Sequence, residues 1–284
     1  PPPSGTSDSR SPFRPQPCWP LTMIGIFDSG VGGMTVARAI EQFCPGYPLI
    51  YFGDLARMPY GPKSPAMITE YAHRNTEFLL RQGARLIVIA CNSAASVASA
   101  LLRSHYAERI IDVIDPAVAR AAAVSGKGRI GLIGTSATIN SGVYAERLHR
   151  VRPDCRVYSQ ACPLLVPLVE EGWLDRRETK MIVRKYLHPL RDKQLDALIL
   201  GCTHYPLLKK VIAPRIGRRV HIIDSSVEVA LHLKAVLDGD EALRTQLHAP
   251  ETPSRFYVSD MPAAVASLAG QIFGRTVHLE KTDV

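Results

Sequence analysis

Short, unbroken aliphatic runs recur along this chain, and each stops at a glycine, a cysteine or a small polar residue. Residues 23–27 end in Asp28-Ser29-Gly30-Val31-Gly32-Gly33, residues 48–52 in Gly53-Asp54, and the run from Leu86 in Cys91. Residues 110–114 end in Asp115-Pro116, residues 129–133 in Gly134-Thr135-Ser136-Ala137-Thr138, and the run from Ala197 in Gly201-Cys202. A further run, 220–223, ends in Asp224-Ser225-Ser226. Continuous Leu, Ile and Val bounded by small residues predict strands buried on both faces of a parallel sheet. Helical patterns lie between them at 34–43, 66–82, after Cys91, and at 117–124, 143–150, 164–172, 177–190 and 227–237, with a further strand at 156–160. Such alternation predicts an α/β protein with helices on both sheet faces. The pattern restarts near Pro116, which predicts two similar doubly wound α/β domains, their mainly parallel sheets facing each other across a cleft. The tail holds two more strand candidates, 255–258 and 276–279, and periodicity leaves open which sheet they join.

Composition narrows the class. At 284 residues, 46% hydrophobic and 21% charged, the chain reads as globular, and no apolar run approaches the ~20 residues that span a bilayer. Residues 1–21 are rich in Pro and Ser and lack the apolar core of a secretory signal, so they read as a disordered extension or vector remnant. The net charge of +8 permits nucleic-acid binding. Its basic clusters, Arg176, Arg177 and Lys180, then Arg215, Arg218, Arg219 and His221, lack aromatic interleaving or zinc-finger spacing. They read as a solvated surface that helps draw in an anionic substrate, and nucleic acid is not an expected partner. Six cysteines without a CxxC pair argue against a structural zinc site and fit a reducing cytoplasm.

Two of those cysteines stand apart. Cys91 and Cys202 each sit at the carboxyl end of a predicted strand, where open α/β sheets place their ligands. Each precedes polar residues, Asn92 with Ser93 and Thr203 with His204, that could cap a following helix whose N-terminus favours a thiolate. Cys44, Cys155 and Cys162 read as small buried hydrophobes. One thiol from each domain suits the inversion of a carbon centre without a cofactor: one base removes a proton from one face while an acid delivers one to the other. Asp28 and His204 are placed to set the protonation of a nearby thiol. A Cys/His hydrolase would leave Cys91 unexplained, and a metal site would need more His than this edge supplies. The glycine loop after Asp28 matches no nucleotide motif, but its backbone can approach a small anion, as can the Pro59-Tyr60-Gly61 turn.

The motifs I-G-I-F-D-S-G-V-G-G-M-T-V from Ile24, Y-F-G-D from Tyr51, P-Y-G from Pro59 and V-I-A-C-N-S-A from Val88 resemble the glutamate racemase family. G-T-S-A-T from Gly134, V-P-L-V-E from Val166 and G-C-T-H-Y-P-L-L from Gly201 continue the match in order. The resemblance implies cofactor-independent interconversion of L- and D-glutamate for bacterial peptidoglycan, with no pyridoxal phosphate, no metal, and a possible homodimer. It implies that Cys91 exchanges the α-proton on the D-glutamate face and Cys202 on the L-glutamate face. Asp28 would tune Cys91, and His204 with Glu170 would tune Cys202. Asp28, Ser29, Tyr60, Gly61, Asn92, Ser93, Thr135, Thr203 and His204 would line the substrate. The family fold implies a first domain of residues 22–115 completed by 226–284, with 116–225 as the second. One departure stands out: the family's C-N-T-A is C-N-S-A here, so Ser93 keeps a hydroxyl and loses a methyl. A looser pocket leaves aspartate or another amino acid as the alternative substrate. Some glutamate racemases are associated with gyrase inhibition, and no motif here bears on it.

Overall fold

The computed structural model describes residues 22–284, so the predicted 1–21 extension lies outside the described residues. The chain first forms β1 (Met23–Asp28), α1 (Met34–Phe43), β2 (Leu49–Gly53), α2 (Pro65–Arg81), β3 (Ala84–Ile89), α3 (Asn92–His105) and β4 (Arg109–Asp112). Next come α4 (Ile114–Val124), β5 (Arg129–Gly134), α5 (Ser136–Asn140), α6 (Val143–Val151), β6 (Arg156–Ala161) and α7 (Leu165–Glu170). They are followed by α8 (Arg177–Arg191), β7 (Ala197–Gly201), α9 (Lys209–Ile216) and β8 (His221–Asp224). The tail supplies α10 (Ser225–Gly239), α11 (Glu241–Leu247), β9 (Arg255–Val258), α12 (Ala263–Phe273) and β10 (Glu280–Lys281).

Two parallel sheets result. One runs β10-β9-β2-β1-β3-β4 and the other β6-β5-β7-β8. β1, β2 and β7 are buried at every position, as unbroken apolar runs covered on both faces must be. The tail strand β9 pairs with β2, Phe256 opposite Tyr51, so the C-terminal segment extends the first sheet. Helix α10 packs on both α1 and α4, and α4 on α6, which joins the two sheet layers into one body.

The strand order fixes where a ligand can sit. From β1 the chain steps to β2 on one side, then crosses to β3 on the other; around β5 it repeats this with β6 and β7. Each reversal opens a crevice at the carboxyl ends of two neighbouring strands. Asp28 and Cys91 stand at the β1/β3 crevice, Thr135 and Cys202 at the β5/β7 crevice.

Three expectations are corrected. The strand expected at 110–114 stops at Asp112, and α4 begins at Ile114 rather than at 117. Asp112 Oδ1 accepts the N–H groups of Ile114 and Asp115 at 2.8 and 3.1 Å, starting the helix early. Pro116 then falls in the first turn, where its missing N–H costs nothing. The strand expected at 276–279 lies instead at Glu280–Lys281, where the backbone reaches the end of β9. Residues 276–279 still serve the core, since Val277 is buried. Finally, Asn92 and Ser93 do not cap α3: Cys91 holds the N-cap position and both polar residues lie in the first turn. After Cys202 the chain makes one 3-10 turn, Tyr205–Leu208, before α9, and neither Thr203 nor His204 caps a helix through its side chain.

Candidate active site

The glycine turn after β1 wraps around a carboxylate. Asp28 Oδ2 accepts the N–H groups of Gly30 and Gly33, each at 3.0 Å, while Oδ1 accepts the Thr203 hydroxyl at 3.3 Å. The first two bonds shape the turn, and the third ties one crevice to the other. Burial pushes the Asp28 carboxyl up from its ordinary value, while His204 and the three donors pull the other way. A Cβ on Gly32 would lie 2.4 Å from His204 Nδ1 and 2.7 Å from Thr203 Oγ1, so only glycine lets this turn touch the opposite crevice.

Cys91 is 4% exposed and donates through Sγ to Ser29 Oγ at 3.5 Å. Burial, and then the Asp28 charge, push its thiol up to about 12, against hydrogen bonds from Ser29 and the Ala94 N–H. The thiolate expected from the helix N-terminus is therefore not what this closed site favours at Cys91, because desolvation outweighs the dipole. One residue on, Asn92 Oδ1 accepts the Tyr144 hydroxyl at 2.6 Å, while its Nδ2 is buried without a partner among the described residues. The Ser93 hydroxyl, the group retained in C-N-S-A, bonds Thr135 Oγ1 at 2.8 Å across the two sheets. Thr135 also caps α5 through the Thr138 N–H.

The second thiol has a different neighbour. Cys202 Sγ lies 3.8 Å from His204 Nδ1, and His204 Nε2 lies 3.0 Å from Glu170 Oε1 on α7. Burial alone would lower the imidazole, but its bonds and charge interactions with Cys202 and Glu170 prevail and raise it to about 10. At neutral pH this is an imidazolium, with one N–H for the sulfur and one for the carboxylate. Glu170, rather than its neighbour Glu171, makes the contact.

Of the twelve residues expected from the sequence, ten line a single cavity, with Asp28 and Glu170 just behind its wall. Asp28, expected against the substrate, is held back because its oxygens are taken by the glycine turn and Thr203. The Tyr60 hydroxyl also turns away, donating to buried Asp54 at 2.6 Å and accepting from Asn75 at 3.1 Å, so the turn itself faces the cavity. Pro59, part of the turn read from the sequence as able to approach an anion, and Val166 complete the wall, and Tyr144 supports it from α6; neither Val166 nor Tyr144 stands out in the sequence as a site residue. The cavity measures about 20 Å³, a water or two and far less than an amino acid. Among the described residues no group of three or more His, Cys, Asp or Glu side chains is placed to hold a metal ion.

Two thiols set in equivalent crevices, with a carboxylate behind one and an imidazole beside the other, line one shared cavity. A family model described as Asp/Glu/Hydantoin racemase matches residues 31–233. A glutamate racemase of Geobacter metallireducens is 44% identical over 255 residues, 90% of this chain and 94% of that one. A solved glutamate racemase isoform from Bacillus anthracis superposes with a TM-score of 0.88 at 36% identity, covering 93% of this chain and 98% of its own. One from Francisella tularensis, solved in complex with D-glutamate, superposes at 0.85 with 36% identity and the same coverage. Sequence, fold and site thus agree: the chain belongs to the glutamate racemases of the Asp/Glu/Hydantoin racemase family, and is an amino-acid racemase, an isomerase.

Proposed function

We propose that the chain interconverts L- and D-glutamate by proton transfer between Cys91, Cys202 and the α-carbon. The observation that carries this is the pairing of the two thiols: each follows the strand at its sheet's reversal point, and both line one cavity. In the L-to-D direction, the Cys202 thiolate beside the His204 imidazolium takes the α-proton. The C–H bond breaks, an S–H bond forms, and the electron pair is left on the α-carbon, delocalised into its carboxylate. Cys91, held as a thiol, then gives its proton to the opposite face and becomes the thiolate. The D-to-L direction runs the same steps backwards. Asn92 Nδ2, a buried donor without a partner among the described residues, supplies a hydrogen bond that substrate oxygen can accept. The complex of the Francisella tularensis relative with D-glutamate supports this choice of substrate.

Two lobes, 22–115 with 226–284 and 116–225, carry one thiol each in this reading, and sheet membership supports the division. The proposal places the product in bacterial peptidoglycan synthesis in the cytoplasm. Among the described residues, five free, buried cysteines fit a reducing compartment, and no helix is long and apolar enough to cross a membrane. Rescue of a D-glutamate auxotroph checks the pathway, and a panel of amino acids followed by polarimetry checks the substrate. The mechanism is tested by Cys91→Ser and Cys202→Ser. Each is expected to lower racemisation about a thousandfold, within the ~10²–10⁴ range for a positioned acid or base. Wild-type rates in both would end the proposal.

A further inference from the structure

A second charged surface lies away from the thiols. Helix α8 buries Thr179, Val183, Leu187 and Leu190 and turns its opposite face outward. That face carries Arg177, Lys180, Met181, Arg184, Lys185 and His188, spaced at three, four, seven, eight and eleven residues from the first. Such spacing makes one stripe along a helix. Helix α9 packs alongside and adds Arg215, closing a groove of about 600 Å³ whose walls hold these basic side chains and, among the described residues, no Asp or Glu. Arg215, remote in sequence, thus joins the α8 stripe in space. Among the described residues, Lys180 pairs with Asp175 at 2.7 Å, whereas Arg177, Arg184, Lys185 and Arg215 form no ion pair. Arg215 Nη1 spends one donor on the Val211 carbonyl at 2.7 Å.

Contrary to the expectation drawn from the sequence, in which the basic residues read as a solvated surface, we propose that this groove binds the phosphate backbone of double-stranded nucleic acid without reading its sequence. From Arg177 to His188 the stripe runs about 16 Å at 1.5 Å per residue. That spans about five base-pair steps of a duplex, whose two strands together set one phosphate charge per ~1.7 Å of axis. Arginine forks suit phosphate oxygens, and three of the five permanent cations are arginines. Protein partners need an apolar centre, and Met181 and Pro189 alone provide little of one. Single strands need aromatic platforms for their bases, and among the described residues no aromatic side chain lines the groove. The chain's net charge of +8 adds long-range attraction to the same partner.

The test is fluorescence anisotropy of the purified full chain with a labelled mixed-sequence DNA duplex over a series of salt concentrations. With four to five cations engaged, log K against log salt should fall with a slope of about −4. The double variant Arg184→Ser, Lys185→Ser should bind more weakly, with a slope of about −2, and should keep the wild-type racemisation rate as proof of its fold. A single strand of the same length should bind less tightly than the duplex. The proposal is overturned by absence of duplex binding at low salt, or by an unchanged slope in the double variant. It is equally overturned if a polyglutamate peptide of equal charge competes as well as the duplex does, which would assign the groove to acidic peptides.

Discussion

Among the described residues, Asn92 is held at one end only. The Tyr144 hydroxyl fixes its carbonyl oxygen, which leaves the amide Nδ2 presented to the cavity. Tyr144 is therefore a positioning residue, and Tyr144→Phe lets the amide rotate without changing the shape of the core. The expected result is a KM raised about tenfold with kcat changed much less, the signature of lost ground-state binding. Stability should fall by about 1–2 kcal/mol, for one lost buried hydrogen bond. Steady-state kinetics and urea unfolding check the two parts separately. His204 leads to a pH prediction. Its folded value of about 10 lies above the 6.5 of a free imidazole, so the folded protein holds a proton that the unfolded chain releases between them. The stability it contributes is fully present below 6.5 and is lost as pH rises through about 10. The gap between wild type and His204→Gln in urea unfolding should shrink across that window; a constant gap would contradict the assignment.

At the scale of an element, α6 acts as a bracket between the two halves. Tyr144 reaches Asn92, and one turn later Arg147 bonds Asp112, Asp115 and Ser99. Asp112 is fully buried, so its charge depends on Arg147, Arg103 and two backbone N–H groups. Arg147→Met should cost about 2–4 kcal/mol in urea unfolding, since a buried carboxylate loses a partner. Arg150→Met, on the same helix but in an exposed pair with Glu146, should leave stability nearly unchanged. These cross-links explain what the sequence could and could not disclose. A thiol at the end of an apolar run is legible because strand, turn and cysteine are contiguous, and so Cys91 and Cys202 were readable. Tyr144 and Arg147 are ordinary amphipathic-helix residues until the fold sets α6 against the start of α3 and the end of β4. The same holds for α4, whose early start depends on the Asp112 side chain, and for β10, placed by where the chain returns to β9. Thr135 is legible as a residue at the end of a strand run, but its cap on α5 and its bond to Ser93 are not.

Over the whole molecule, two crevices of the same design are pressed together until about 20 Å³ remains between them. Glycine at position 32 permits that approach, and Asp28–Thr203 and Ser93–Thr135 hold it across the gap. Substrate must part these contacts to enter, and their closure would then strip water from the two thiols and strengthen every charge interaction around them. The two thiols also make the proton's history measurable. If separate sulfurs serve the two faces, the proton taken from L-glutamate is not the one delivered to make D-glutamate. Incubating L-glutamate with the enzyme in D2O and following optical rotation with mass spectrometry at early times tests this directly. The account predicts D-glutamate carrying solvent deuterium at the α-carbon while the remaining L-glutamate keeps its proton. D-glutamate that retains the original α-proton, or deuterium appearing equally in both enantiomers from the outset, would contradict it.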